Sequence, residues 1–255
     1  MTPTPSPALR GLILGLANDH SIAWGCARVL AARGARLVLS CLNDKAHAAN
    51  AALAASLPAP LEVCDVSQPG QAQALVERAA AQLGGLDFVV HSIAWAPRQD
   101  LAGRVVDTTP EGFAEAMHIS CHSFAELARA AEPHLAHGGT LVTMSYLGAH
   151  EAVPHYGLMG PVKAALESMV RYLAQELGPA GIRVHAVSPG PMPTRAASGL
   201  PEFEALMARA RAEAPLRRLV TLDEVGECVA FLVGPGGSGM TGQTLYVDGG
   251  MHAVR

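Results

Sequence analysis

The stretch YGLMGPVK, residues 156–163, places a phenol and an ammonium seven positions apart. A phenol donates a hydrogen bond or a proton, and an ammonium contributes fixed positive charge and three donors. Seven helical residues turn through about 700°, about 20° short of two full turns, so Tyr156 and Lys163 are expected on one helix face, about 10 Å apart along the axis. Their long side chains can then converge on a ligand held between them. Pro161 interrupts the stretch, and proline is accommodated in a first helical turn, where its missing N–H had no partner. The helix is therefore expected to begin near residue 156 or 157, with Pro161 at the limit of its first turn and some distortion there. The same spacing also serves two solvated surface residues, and alone it does not choose between the two.

Two glycine clusters compete as phosphate loops. GPGGSG, residues 234–239, matches GxGxxG as a string but follows a helical stretch and leads towards a strand. A phosphate loop needs a strand before it and a helix after it, so 234–239 reads as an ordinary loop. GLILGLANDHSIAWG, residues 11–25, lacks the string and has the context. A strand ends at Gly15, a polar turn follows, and Ser21 is a natural N-cap for a helix that starts at Ile22. Amides at such a helix start suit a pyrophosphate. Gly15 lets the backbone turn closely under the ligand, and Gly25 is expected to let the helix sit near the sheet. The next strand ends Ser40-Cys41-Leu42-Asn43-Asp44 with no arginine to meet a 2′-phosphate, and Lys45 is read as starting a helix, so NADH is expected over NADPH. Asp65 could meet the adenine amine, or be only a turn residue. Ser92-Ile93-Ala94 offers small side chains where a cofactor could pass.

These residues need a frame, and the chain supplies an alternation. Apolar strand candidates at 11–16, 36–40, 61–66, 86–92, 140–145, 182–188 and 244–249 are separated by helix candidates at about 21–33, 45–56, 69–83, 111–136, 155–178 and 222–233. The strands are nearly continuous in apolar residues, as parallel strands covered on both faces are. The expected fold is α/β: a single doubly wound, Rossmann-type domain with a seven-stranded, mainly parallel sheet and helices on both faces. Residues 1–9 read as a flexible leader and 10–255 as the domain. After the sixth strand a proline-rich, then helical excursion, about 192–214, is placed to act as a substrate lid.

The totals exclude other classes. Half of the 255 residues are hydrophobic, 16% are charged and the formal net charge is −4. Without a basic excess or many aromatics, no nucleic-acid partner is expected. No apolar run reaches membrane-span length and no signal peptide is read, so the expectation is a cytoplasmic protein with no membrane partner. Five widely spaced cysteines without a CxxC are expected to be free thiols. No metal-ligand spacing is read among the eleven histidines, His155 included, and no metal is expected.

SYLGA at 145–149, followed by Tyr156, Met159 and Lys163, resembles the YxxMxxxK pattern of divergent short-chain dehydrogenases/reductases. The YxxxK spacing of the wider superfamily is absent. GLANDHSIAWG, CDV, HSIAWAP, ISCHS, GPMPTRAASG and VDGG stand in the order found in the NADH-dependent enoyl-acyl-carrier-protein reductases of bacterial fatty-acid synthesis, and the resemblance spans about residues 10–250. It implies hydride transfer from NADH to C3 of a trans-2-enoyl thioester. It implies that Tyr156 hydrogen-bonds the thioester oxygen as an enolate forms, with Tyr146 as a second phenol and Lys163 on the nicotinamide ribose. Cofactor contacts are implied for Gly15, Ser21, Ile22, Leu42, Asp65, Val66, Ile93, Lys163, Met192 and Thr194. Ala96, Tyr146, Met159, Phe203 and Met207 are implied to line the substrate pocket, and a homotetramer is implied for the assembly.

The chain departs from the family pattern at Leu42, where a polar residue is common, and at Ala94, where glycine is usual. Glu202 and Glu204 make the lid locally acidic where relatives carry basic residues for acyl carrier protein. Arg195, Arg209, Arg211, Arg217 and Arg218 could compensate. A carbonyl reductase or alcohol dehydrogenase on the same scaffold is the alternative enzyme. An NADH-binding sensor without chemistry is the alternative from another class.

Overall fold

Ser21 turns the chain from its first strand into its first helix. Its hydroxyl accepts a hydrogen bond from the Trp24 amide at 3.3 Å and donates one to the Asn18 carbonyl at 2.7 Å. That is the N-cap arrangement, which satisfies an amide left over at the helix start. The computed structural model describes residues 8–101, 103–135, 138–194 and 202–254. Strand β1 (Arg10–Leu14) leads through this cap into α1 (Ile22–Ala32). β2 (Arg36–Cys41) follows, then α2 (Asp44–Ala55), β3 (Leu61–Val63), α3 (Gln71–Leu83) and β4 (Phe88–His91). A short α4 (Arg98–Leu101) precedes α5 (Pro110–Met117), a π-helical turn (His118–His122) and α6 (Ser123–Ala131). Then come β5 (Thr140–Met144), α7 (Met159–Leu177), β6 (Arg183–Pro189), α8 (Phe203–Glu213), α9 (Leu222–Val233) and β7 (Gln243–Val247).

The seven strands form one sheet in the order β3-β2-β1-β4-β5-β6-β7, and every pairing is parallel. The order reverses between β1 and β4, where Leu14 lies beside Ser40 on one side and His91 on the other. The carboxyl ends of these strands therefore open on a common crevice at the switch point, the usual ligand position in an open α/β sheet. Apolar clusters cover both faces: one packs α3, α6 and α7 on the sheet, the other packs α1 and α9.

Several sequence expectations are corrected here. The helix expected at 111–136 is broken by the π-helical turn at 118–122. β3 ends at Val63, which leaves Cys64-Asp65-Val66 as loop. Gly25 serves a helix contact rather than the sheet. A Cβ there would meet Leu222 of α9 at 2.6 Å, and one at Gly226 would meet the Gly25 carbonyl at 2.8 Å. The two helices close on each other through a pair of glycines, flanked by ion pairs Arg28–Asp223 and Arg33–Glu227. All five cysteines are free thiols. No helix among the described residues is long and apolar enough to cross a membrane.

Candidate functional site

The cradle after β1 is built by backbone. Gly15 has φ +96°, and a Cβ there would lie 2.1 Å from the Ser92 carbonyl oxygen. Only glycine takes that conformation without strain, and only glycine lets the loops after β1 and β4 approach so closely. The N-terminal amides of α1 face the crevice that this approach leaves, with the dipole sense that favours an anion. Asn50, a residue the sequence reading passed over, is buried on α2. Its amide donates to the Ala17 carbonyl at 3.3 Å and the Ala46 carbonyl at 2.8 Å, tying α2 to the cradle loop.

The remaining expected cofactor residues stand on the segments that follow β2, β3, β4 and β6 and at the start of α1. Leu42 stands 57% exposed just past β2, followed by Asn43, whose side chain caps α2 through the Ala46 amide at 2.9 Å. Lys45 lies within α2 and is exposed. One Asp65 oxygen is committed to a turn, accepting from the Ser67 amide at 2.9 Å and the Ser67 hydroxyl at 2.7 Å. Val66 is buried, and Ile22 and Ile93 are half-buried. Met192, buried, and Thr194 follow β6. Glycine at the turn, a capped helix N-terminus and no cation at the end of β2 fit a dinucleotide lacking a 2′-phosphate.

Beyond β4 and β5 lie the ionisable side chains. Tyr156 does not sit on α7. It occupies the turn before the helix, between His155 at φ +62° and Gly157 at φ +49°, so the two-turn face predicted for Tyr156 and Lys163 is not formed. Helix α7 starts at Met159, which makes Pro161 its third residue, where the lost N–H had no intrahelical partner. The Tyr146 and Tyr156 rings meet at a tilt of 57° with centroids 4.7 Å apart. Gly148 makes room: a Cβ there would lie 2.4 Å from Tyr156 Cδ1. Burial pushes the Tyr146 phenol up to about 12, opposed by the positive charge of Arg209 on α8, and raises the Tyr156 phenol further. Both phenols therefore stay protonated donors across the working pH range.

Lys163 is 3% exposed, and its ammonium donates to the Met144 carbonyl at the end of β5 at 2.7 Å. Burial pulls its pKa down to about 8, with the Cys121 thiol and Glu167 opposing. One turn along α7, Glu167 is 2% exposed and accepts from Ser145 Oγ and pairs with His150 Nε2, both at 2.5 Å. His91 is locked between Thr143 Oγ1 and Ser123 Oγ, each at 2.9 Å, and burial holds its imidazole neutral, down to about 3. Ser120, inside the π-helical turn, accepts from the Trp95 amide and donates to the Trp95 carbonyl, both at 2.7 Å. These polar clamps were not legible beforehand, because each joins segments distant in sequence.

Of the expected substrate residues, Ala96 and Met159 share one buried cluster with the expected catalytic Tyr156, and Tyr146 packs against it together with Ile93. Phe203 and Met207 lie on α8, outside that cluster. Helix α8 reaches this end of the sheet through His155–Glu202 at 3.3 Å. Residues 195–201 of the expected lid, Arg195 among them, and residues 1–7 of the expected leader lie outside the described residues. A recess of about 300 Å³ lined by Gly148, Val153, Gly157 and Pro161 shares only Tyr156 with the expected site residues. The histidine reading also passed over the equal spacing of His118, His122 and Glu126, whose side chains meet on one face.

A parallel sheet with its switch point at β1/β4, a glycine-turned cradle, and two buried tyrosines and a buried lysine beyond β5 define a dinucleotide-binding, reductase-type scaffold. Residues 15–252 match the family model described as enoyl-(acyl carrier protein) reductase. The chain is 42% identical over 244 residues to "Enoyl-[acyl-carrier-protein] reductase [NADH] 2" of Rhizobium meliloti, covering 95% of this chain and 91% of that one. It is 41% identical to the Escherichia coli K12 enzyme of the same family over 94% and 93% of the two chains. Among solved structures, the Anaplasma phagocytophilum enoyl-(acyl-carrier-protein) reductase in complex with NAD superposes with TM-score 0.92 at 43% identity, covering 96% and 94%. The Bacillus cereus enzyme with NADP+ and an indole naphthyridinone gives 0.93 at 38%, covering 96% of each chain. The chain belongs to the enoyl-[acyl-carrier-protein] reductase family.

Proposed function

We propose that this protein reduces the trans-2 double bond of an enoyl thioester with NADH, in fatty-acid synthesis. The observation that carries the reading is the pair of phenols, Tyr146 and Tyr156, in tilted ring contact and held protonated by burial, together with the buried ammonium of Lys163 on α7. NADH, when bound, would supply the hydride to C3, and C2 then takes a proton that comes ultimately from solvent or a relay. The chain's own residues do the rest. Tyr156 donates its hydroxyl to the thioester oxygen, where negative charge collects, and a preformed donor in a dry site is worth most there. Tyr146 and Met159, with Ala96, Phe203 and Met207, border the acyl chain. Lys163 turns its ammonium to the ribose hydroxyls and adds positive charge near the developing oxyanion. Gly15, Ser21 and Ile22 hold the pyrophosphate side; Leu42, Asp65 and Val66 the adenosine side; Ile93, Met192 and Thr194 the nicotinamide and pyrophosphate side. A phenol pushed upward in pKa suits hydrogen bonding better than giving up its proton to a ketone, which favours enoyl over carbonyl reduction. Residues 192–214 serve as the lid.

The test is NADH consumption with a medium-chain trans-2-enoyl thioester, comparing wild type with Tyr156→Phe and Lys163→Ala. Turnover falls in both variants, and the lysine variant also binds NADH more weakly. Tight NADH binding without enoyl turnover would move the reading to a carbonyl substrate or a sensor.

The thioester carrier is acyl carrier protein or coenzyme A. Helix α8 begins Phe203-Glu204 behind Glu202, and two of the nearby cations are committed internally, Arg209 to Glu213 at 2.8 Å and Arg218 to Glu224 at 2.6 Å. The two carboxylates at the helix start would repel an acidic carrier protein and weaken its docking on this face. The kcat/KM values for carrier and coenzyme A thioesters of one acyl chain agree within about tenfold, and a preference of several hundredfold would sink the idea. The cytoplasm is the proposed compartment and a homotetramer the proposed assembly, which sedimentation equilibrium tests.

A further inference from the structure

The π-helical turn at 118–122 has two working faces. Inward, Ser120 grips both the amide and the carbonyl of Trp95 at 2.7 Å, and Cys121 and Ser123 are buried. Outward, His118 and His122 are joined by Glu126, four residues further on in α6. The nitrogen and carboxylate atoms of the three all lie within 4.8 Å of one another. His118 Nε2 is 3.7 Å from a Glu126 oxygen, and the two imidazole rings are 6.0 Å apart at centroid. His122 is exposed and the other two are half-buried, so an ion can reach them.

We propose that this outer face is a site for a divalent transition-metal ion of the zinc type. Two imidazoles and one carboxylate are the ligand chemistry of borderline ions such as Zn²⁺, and not of Mg²⁺ or Ca²⁺, which take oxygen ligands. Donors sharing a tetrahedral Zn²⁺ at the usual bond lengths stand about 3.3 Å apart. The observed separations, 4.8 Å or less, exceed that by at most about 1.5 Å, a gap on the scale of side-chain rotation. The three side chains sit one helical turn apart in succession, so the ion spans the π-turn and α6. Water fills the remaining coordination position. π-turns within α-helices occur often at functional positions, and this one is braced from inside by Ser120. An ion on the outside would brace it from the other face, next to the loop that carries Trp95 and Ala96.

The test is calorimetric titration of the full chain with Zn²⁺, in wild type, His118→Ala, His122→Ala, Glu126→Gln and Cys228→Ser, with thermal melts alongside. The wild type takes up one equivalent per chain and its Tm rises with Zn²⁺. The two histidine variants, which alter accessible side chains, melt normally without metal and bind about tenfold or more weakly. Glu126→Gln weakens binding less, Cys228→Ser binds as wild type, and Mg²⁺ neither binds nor competes. Absence of saturable wild-type binding below about 1 mM would overturn the site, as would wild-type affinity in both histidine variants. Loss of binding in Cys228→Ser would assign the ion to the thiol instead and equally overturn it.

Discussion

Lys163→Met separates what the buried lysine does for chemistry from what it costs the fold. The ammonium is held in a dry site, and its pKa falls from 10.5 to about 8. That drop makes the charged form about 3 kcal/mol less favourable in the folded protein than in the unfolded chain. The sign follows from the depressed folded value. Below pH 8 the lysine is charged in both states and the full penalty applies. From about 8 to 10.5 the folded protein has released a proton that the unfolded chain still binds, so stability rises with pH and the penalty fades. Methionine has similar length and no charge, but it forfeits the hydrogen bond to the Met144 carbonyl, worth about 1–2 kcal/mol. The net expectation at pH 7 is a gain of about 1–2 kcal/mol, a Tm increase of about 3–6 °C for a chain this size. Near pH 9.5 the two effects cancel and the variant melts with the wild type. Scanning calorimetry from pH 6.5 to 9.5 without NADH reads this directly, and enoyl turnover is lost throughout. A Tm difference that does not change with pH, or a variant less stable at pH 7, would refute the claim that the lysine is held charged against its environment.

Other expectations come from the same geometry. Gly148→Ala places a methyl 2.4 Å from the Tyr156 ring and displaces the phenol, so kcat/KM falls about tenfold or more while NADH affinity, measured by fluorescence, is kept. Gly15→Ala meets both a positive φ and the Ser92 carbonyl, costing about 1–3 kcal/mol in urea unfolding and weakening NADH binding. Thr221→Ala removes half of a capping box at the start of α9 and lowers stability by about 1 kcal/mol. Glu224, the other half, is held down to about 2 by its Arg218 hydrogen bond, so its contribution is present above pH 4.5 and lost as pH falls towards 2. Melts of Glu224→Gln therefore converge with wild type across that acid range.

What the sequence made legible was whatever depends on local pattern. Strands such as Leu12-Ile13-Leu14 announce themselves because a strand covered on both faces has no polar side to show, and all three are fully buried. Ser21 and Gly15 were readable because a cap and a sharp turn each demand few residue types. The helix across 118–122 was misread as continuous because HISCHS carries no breaker. Its π-turn is held by Ser120 reaching Trp95, a contact 25 residues away. Tyr156 was placed on α7 by arithmetic that ignored Gly157, whose positive φ keeps the tyrosine in the preceding turn. Lys163 to Met144, Ser145 to Glu167 and Asn50 to Ala17 were invisible for a common reason: each partner is specified by topology, and one of each pair is a backbone carbonyl or a hydroxyl that any residue order could supply.

The glycine pair between α1 and α9 also has a consequence for how the protein is made. Helix α1, which carries the anion-facing amides, packs on α9 through Gly25 and Gly226, and Arg28 finds Asp223 across 195 residues of chain. During synthesis the side of α1 that meets α9 therefore stays bare until α9, made about 195 residues later, has left the ribosome. Helix α1 waits, exposed, for α9, a period in which uncovered apolar surface invites chaperones or aggregation. Emergence of α9, rather than of the strands around β1, sets the moment when the cradle becomes firm enough to hold a ligand.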